Sequence, residues 1–252
     1  MSDFRKSRPD ATRADFEMEA AGLRWLGEAP GIRVPGVLGV GGDPGWLKLE
    51  RIETGRLSAD GADELGRALA EMHALGADEY GSLPPGAPDR TLRLGLAELE
   101  LAVSESWPRL YAEGMLEPLA GRAHERGGLS KGDRDSIARV CGRIGSVAGP
   151  GEPPSRLHGD LWSGNVLAGT DGRAWLIDPA AYGGHREVDL AMLRLFGSPS
   201  ERIFEAYAEA APLADGHEER VGLWQLLPLI VHAILFGGSY GASAGEAARR
   251  YL

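Results

Sequence analysis

The stretch His158-Gly159-Asp160-Leu161-Trp162-Ser163-Gly164-Asn165, followed by Trp175-Leu176-Ile177-Asp178-Pro179-Ala180, decides how this chain is read. The first segment is dense in Asp, Gly, Ser and Asn, the residues of turns, with single apolar residues between them. The second is a short apolar run, read as a strand over 174–177, which stops at a carboxylate. A polar loop, a strand and a carboxylate at the strand's end form a frame that places acidic and amide groups beside one another.

Outward from that loop the chain divides by character. Residues 14–27 read as a helix, with Phe16, Ala20, Leu23 and Leu26 on one face and Gly27 to end it. Residues 37–40 and 46–52 read as strands, joined by the turn Gly41-Gly42-Asp43-Pro44-Gly45. After Thr54-Gly55-Arg56 helices dominate. Leu65, Leu69, Met72 and Leu75 recur at helical spacing behind a cap at Ser58 or Asp60. Residues 92–125 read as mostly helical with breaks near Pro108 and Gly114, and 133–147 as a further helix. The Gly/Pro-rich run 149–154 is a surface loop. Residues 187–251 are mainly helical, broken near 197–199, 212–216 and 237–241. The expected fold class is α+β in two lobes: a small β-containing lobe over 1–54 and a larger helical lobe over 55–252. The cleft between such lobes is a natural ligand site.

Composition narrows the function classes. The chain has 252 residues, 43% of them hydrophobic and 25% charged, which excludes wholesale disorder. Lys and Arg number 27 against 37 Asp and Glu, a net charge of −10. No nucleic-acid partner is expected, because affinity for phosphate backbones comes from clustered cations. The long-range field favours neutral or cationic substrates unless a metal or a local basic group intervenes. Cys141 is the single cysteine, so no intrachain disulfide forms and a reducing, cytoplasmic setting is expected. The polar start, residues 1–10, has no apolar core of a secretory signal. The most apolar stretch, 223–236, is interrupted by Gln225, Pro228 and His232 and is read as a buried helix, with no membrane partner.

Phosphoryl transfer needs few groups. One carboxylate orients the attacking hydroxyl and takes its proton. A neutral oxygen ligand and a second carboxylate hold Mg²⁺ against the phosphates. Asp160 and Asn165 are five residues apart, the spacing of the His-Arg-Asp-Leu-x-x-x-Asn loop of protein kinases, and Asp178 follows thirteen residues later at the end of its strand. Mg²⁺ takes one or two carboxylates plus phosphate oxygens and water, so this sparse set suffices.

These segments resemble the aminoglycoside phosphotransferase-like kinases and, within them, the fructosamine kinase (ketosamine-3-kinase) family. The discriminating residues are Leu161-Trp162-Ser163-Gly164-Asn165, Asp178-Pro179-Ala180, Tyr182 to Met192 and Leu235-Phe236-Gly237-Gly238-Ser239-Tyr240. Residues 17–26, Val34-Pro35 and Leu49-Glu50 match as well, so the resemblance covers nearly the whole chain. It implies a two-lobed protein-kinase-like fold, ATP and Mg²⁺ as cofactors, and a small-molecule or protein-linked ketosamine as substrate. Phosphorylation falls on the 3-hydroxyl, with deglycation repair as the implied role.

By the same resemblance Asp160 is the catalytic base, and Asn165 and Asp178 are the Mg²⁺ ligands. Lys6 is the phosphate-binding lysine and Glu19 its helix-borne partner, with Glu17 a competing choice. Residues 49–52, with Glu50 and Ile52, form the hinge that offers backbone groups to adenine. Trp162 either stacks on a sugar face or packs within the loop. His158 is expected to brace the loop, and Asp189 to brace it or to terminate a helix at its N-end. His232 and Tyr240 are secondary candidates for the substrate side.

One departure stands out. The family has two strands and a glycine-rich nucleotide loop ahead of the lysine strand, whereas this sequence starts at that strand. Gly39-Val40-Gly41-Gly42 lies after the helix and is no substitute. The expectation is either a start upstream of Met1 or a site without its phosphate cover, binding ATP weakly. Two other readings therefore stand beside the first: a kinase of aminoglycoside-like or other hydroxylated amines, and a catalytically impaired nucleotide-binding relic.

Overall fold

The computed structural model describes residues 3–95, 97–197 and 199–252. Met1 and Ser2 of the polar start, Leu96 of the expected 92–125 helix and Ser198 of the expected break at 197–199 lie outside the described residues. The N-terminal part consists of β1 (Asp3–Ser7), α1 (Arg13–Leu26), β2 (Val37–Gly41) and β3 (Trp46–Glu50). The strands form an antiparallel sheet in the order β1-β3-β2, with Lys6 opposite Leu47. Thr12 caps α1 in a reciprocal box with Asp15, satisfying backbone donors that a helix start leaves open. Phe16, Ala20 and Leu23 of α1 then close on Leu47 and Leu49 of the sheet. Strand β3 ends at Glu50, short of the expected Ile52.

The remainder runs α2 (Ala59–Ala74), β4 (Thr91–Leu94), β5 (Ala97–Glu100), α3 (Trp107–Arg109), a wider π-type turn (Leu110–Leu116), α4 (Glu117–Glu125), α5 (Lys131–Cys141) and α6 (Ile144–Val147). The short strands β6 (Ser155–Leu157), β7 (Val166–Ala168), β8 (Ala174–Leu176) and β9 (Tyr182–Gly184) follow. Then come α7 (Glu187–Leu195), α8 (Arg202–Ala210), α9 (His217–Trp224), α10 (Leu226–Phe236) and α11 (Tyr240–Arg249). The run His217–Phe236 is long and apolar enough, by length and composition, to cross a bilayer. Here Leu223, Leu226, Ile230 and Ala233 are buried in the main core. The core therefore already accounts for that hydrophobicity.

One expectation fails. The segment 92–125 opens as a β-hairpin, and helix begins only at Trp107. The pairing Leu92 with Leu99 and Leu94 with Ala97 explains it. Leu92, Leu94, Ala97 and Leu99 alternate along the chain and are all buried, the period of a half-buried strand. Gly95 turns the hairpin at φ +63°, a backbone open to glycine. The Leu, Ala and Glu content favoured helix, and long-range pairing overrode it.

The hairpin is tied across the molecule. Arg93, only 14% exposed, bonds Asp15 at the start of α1 and pairs with Asp89 at 2.8 Å. Its bond to Asp89 holds that carboxyl down at about 2. Arg93→Ala is expected to destabilise the fold by about 1–3 kcal/mol at neutral pH, the range for hydrogen bonds to charged groups. Arg93→Lys should recover only part, lacking the planar fork. Urea denaturation checks this; an unchanged midpoint in Arg93→Ala would contradict the tie.

Candidate functional site

The polar loop is held from beneath by a carboxylate. Asp189, fully buried in the first turn of α7, accepts the backbone N–H of His158 at 2.7 Å and of Gly159 at 2.9 Å. His158 is itself fully buried; its Nε2–H donates to the Ile177 carbonyl at 3.0 Å, and its Nδ1 accepts from the Asp160 N–H at 3.3 Å. Burial holds its imidazole below the ordinary value, so it braces the loop as a neutral ring. Gly159 has φ +79°, and a Cβ there would lie 2.0 Å from the Ala180 carbonyl oxygen. Only glycine lets the loop pass so close to the segment after Asp178.

Asp160 is thereby delivered to the cleft. The Asn165 amide donates to the Asp160 backbone carbonyl at 2.8 Å and to its Oδ2 at 3.1 Å. Burial pushes the Asp160 carboxyl up to about 6, with the negative charges of Asp178 and Asp189 adding to the shift and the Asn165 bond and Lys6 opposing it. A carboxylate ionising near 6 is charged at neutral pH yet still able to take up a proton. The neighbouring strand lies alongside, since the Ile177 N–H donates to the Asn165 carbonyl at 3.1 Å. Asp178 then turns with φ +54°, the one non-glycine in the left-handed region among the described residues. A backbone of this kind persists only where its surroundings impose it.

Lys6 meets Asp178 at 2.9 Å and Glu19 at 2.9 Å. Burial alone would lower its pKa, but the two carboxylates outweigh burial and hold the ammonium above its ordinary value. Burial raises Glu19 in turn, offset in part by Lys6. The choice between Glu17 and Glu19 is settled by geometry: Glu17 pairs with Arg13 at 2.7 Å on the outer face of α1. Thus the structure brings Asp160, Asn165, Asp178, Lys6 and Glu19 to one place.

These groups fit a Mg²⁺–nucleotide pair. Both recorded Asn165 Nδ2 bonds go to Asp160, which leaves Oδ1, the atom able to bind a hard cation, without a protein partner among the described residues. The Asp178 side chain remains 41% exposed beside it. No cluster of three His, Cys, Asp or Glu side chains suited to a metal occurs among the described residues, so phosphate oxygens and water would have to complete the shell of a bound ion. At the expected hinge the Glu50 N–H is committed to the Gly36 carbonyl at 2.8 Å. The Ile52 backbone makes no hydrogen bond among the described residues.

A cavity of about 170 Å³ opens beside Asp160 and Trp162, between the hairpin turn and α10. Trp162 is 37% exposed and stands edge-on to Phe196 at 6.1 Å. His232 lines the same cavity and lies 5.0 Å from Tyr240. A larger cavity of about 320 Å³ lies between α7, α8 and α9, but it contains none of the expected site residues.

Sequence reasoning missed two supports. His73 on α2 bridges the Asp189 carboxylate at 3.2 Å and the Tyr207 hydroxyl at 2.8 Å. A histidine on the buried face of a Leu/Met helix was the available signal. The hairpin turn in the cavity wall was missed with the hairpin itself.

Comparison with known proteins bears on this geometry. The fructosamine kinase family profile matches residues 2–252. A "probable ketoamine kinase" of Synechocystis is 33% identical over 241 residues, spanning 94% of this chain and 78% of that protein. A "putative fructosamine-3-kinase" of Thermobifida fusca, a solved structure, superposes with a TM-score of 0.89 at 41% identity, covering 99% of this chain and 85% of that one. The choline kinase LicA of Streptococcus pneumoniae, at 18% identity and a TM-score of 0.60, shares the fold alone, with 99% of this chain and 85% of that one covered. The fold is the two-lobed protein-kinase-like fold, and the chain is a phosphotransferase belonging to the fructosamine kinase family.

Proposed function

We propose that this protein transfers the γ-phosphoryl group of ATP to the 3-hydroxyl of a ketosamine, a fructosyl- or ribulosyl-amine. The observation that carries the reading is that Asp160, raised to about 6, lines a cavity and feels the charges of Lys6 and Asp178 in the Lys6–Glu19–Asp178 cluster. Residues 1–54 act as the nucleotide lobe and 55–252 carry the catalytic loop and the substrate side. The Glu50 carbonyl and the Ile52 backbone receive adenine. Lys6, fixed by Glu19, faces the phosphates. Asn165 Oδ1 and the Asp178 carboxylate would hold Mg²⁺, which when bound would neutralise phosphate charge. Asp160 takes the proton of the 3-hydroxyl as that oxygen bonds the γ-phosphorus and the bond to ADP breaks. Trp162 offers an aromatic face to the sugar, with Asp160 and the acidic protein field favouring the cationic amine.

A phosphate on C3 makes the adduct unstable, so the role is deglycation repair, carried out in the cytoplasm where ATP is available. The direct test is incubation with ATP, Mg²⁺ and fructosyl- or ribulosyl-lysine, with the phosphate located by NMR. Phosphate elsewhere than on C3, or preference for an aminoglycoside over every ketosamine, would overturn the reading. Nucleotide binding followed by calorimetry gives a second check. In Asp178→Ala the Mg²⁺ dependence of ATP binding should vanish, and its persistence would assign Asp178 to bracing alone.

A further inference from the structure

The cavity beside Asp160 is built for more than a sugar. Its walls include Leu94 of the hairpin, Val188 and Met192 of α7, and Val231, Leu235 and Phe236 of α10. Among the described residues Asp160 is the one charged side chain that lines it, and His232 is the only other titratable one. The His232 Nδ1–H is already committed to the Pro228 carbonyl at 2.8 Å. A ketosamine has two unlike halves, a polyhydroxylated carbon chain and the substituent of its amine. Sugar hydroxyls pressed against these walls would lose their water hydrogen bonds without replacement. The sugar therefore belongs at the polar mouth, near Asp160 and Trp162, and the apolar wall faces the other half.

Size and surface agree with this. A hydrocarbon-lined cavity of about 150 Å³ accommodates a benzene ring, and this one measures about 170 Å³. At its edge Phe236 is 67% exposed, the most exposed of the large hydrophobic side chains among the described residues, with its ring 5.4 Å from His232 and 6.3 Å from Tyr240. An aromatic ring left in water beside an apolar cavity gains when a ligand covers both.

Resting on the ketosamine reading of this site, we propose that the preferred substrates are ketosamines whose amine carries an aromatic or branched aliphatic group. Phe236 and Leu235 select that group. The reacting 3-hydroxyl stays at Asp160 while the amine substituent enters the cavity between the hairpin turn and α10.

The test compares kcat/KM for fructosyl-benzylamine and fructosyl-isopentylamine with that for fructosyl-ethanolamine and Nε-fructosyl-lysine. The apolar adducts should be favoured by about tenfold or more, chiefly through KM, as expected for a hydrophobic pocket. Phe236→Ser and Leu235→Asn, each checked by thermal melting, should bring that ratio close to unity. Equal kcat/KM across the panel, or a ratio unchanged in both folded variants, overturns the assignment of the cavity while leaving the ketosamine reading intact. Failure of all four adducts to accept phosphate overturns both.

Discussion

Asp160→Asn is expected to lower kcat by roughly 10²–10⁴, the usual contribution of a positioned general base. The asparagine keeps the size and the backbone bonds of the loop, and Asn165 still finds the Asp160 carbonyl. ATP binding should survive, since Lys6, Glu19 and Asp178 remain in place. Misfolding is not the cause of the loss, and the charge itself explains why. Burial raises the carboxyl from 3.8 to about 6, so the folded state holds its proton more tightly than the unfolded chain. Ionisation above that value therefore opposes folding, and stability drains away as pH rises through the two values. At neutral pH the wild type bears a half-buried charge that the asparagine variant lacks. The variant should melt at or above the wild-type temperature while losing turnover. In the wild type, kcat/KM should climb with pH through about 6 as Asp160 ionises, and that limb should be missing from the residual activity of the variant. Undiminished turnover in folded Asp160→Asn, or a flat wild-type profile across about pH 5–7, would remove Asp160 from the role of base.

Glu187→Ala should cost about 3–5 kcal/mol of stability, the range for removing one partner of a buried ion pair. Glu187 is 5% exposed and Arg220 8%. The carboxylate receives Arg220 through two bonds, of 2.6 and 2.9 Å, and the Trp224 indole N–H at 2.7 Å. Removing it leaves a guanidinium charge with only the Asp215 and Ala214 carbonyls to face, and an indole donor without its acceptor. The damage reaches the loop that carries Asp160, because Glu187 opens α7 and Asp189, two residues on, clamps His158 and Gly159. Loss of activity should accompany loss of stability. Glu187→Gln should fall between, keeping an acceptor without the charge. Replacing both partners by apolar residues of similar volume should recover much of the loss, since no lone charge then remains. Denaturant midpoints of the series measure this; a cost below about 1 kcal/mol for Glu187→Ala would mean that water reaches Arg220.

Parts of this protein were legible because they are local. The helix over 14–27 declared itself through Phe16, Ala20, Leu23 and Leu26 at helical spacing, and Thr12 and Gly27 bound it in the structure. Asp160 and Asn165 share one loop, and Asp178 ends the next strand but one, so their proximity needed only short-range turns. The hairpin at Thr91–Glu100 was illegible to the same method. Its alternation of Leu92, Leu94, Ala97 and Leu99 is short, and its composition points to helix. What stabilises it is burial against the core and the bond from Arg93 to Asp15, 78 residues away in sequence.

The loop, its carboxylates and its amide are therefore properties of the sequence by itself: turn residues bend the chain, and spacing sets Asp160 beside Asn165. Only the tertiary structure decided which glutamate of α1 meets Lys6. Two positions along a helix rotate a side chain to a different face, and the sheet beneath α1 determines which face looks inward. Only the tertiary structure, too, raised Asp160 to about 6 and placed the hairpin turn in the wall of the cavity beside it. Burial and the fields of Asp178 and Asp189 come from segments that no short window contains, and an electrostatic environment exists only once those segments have packed.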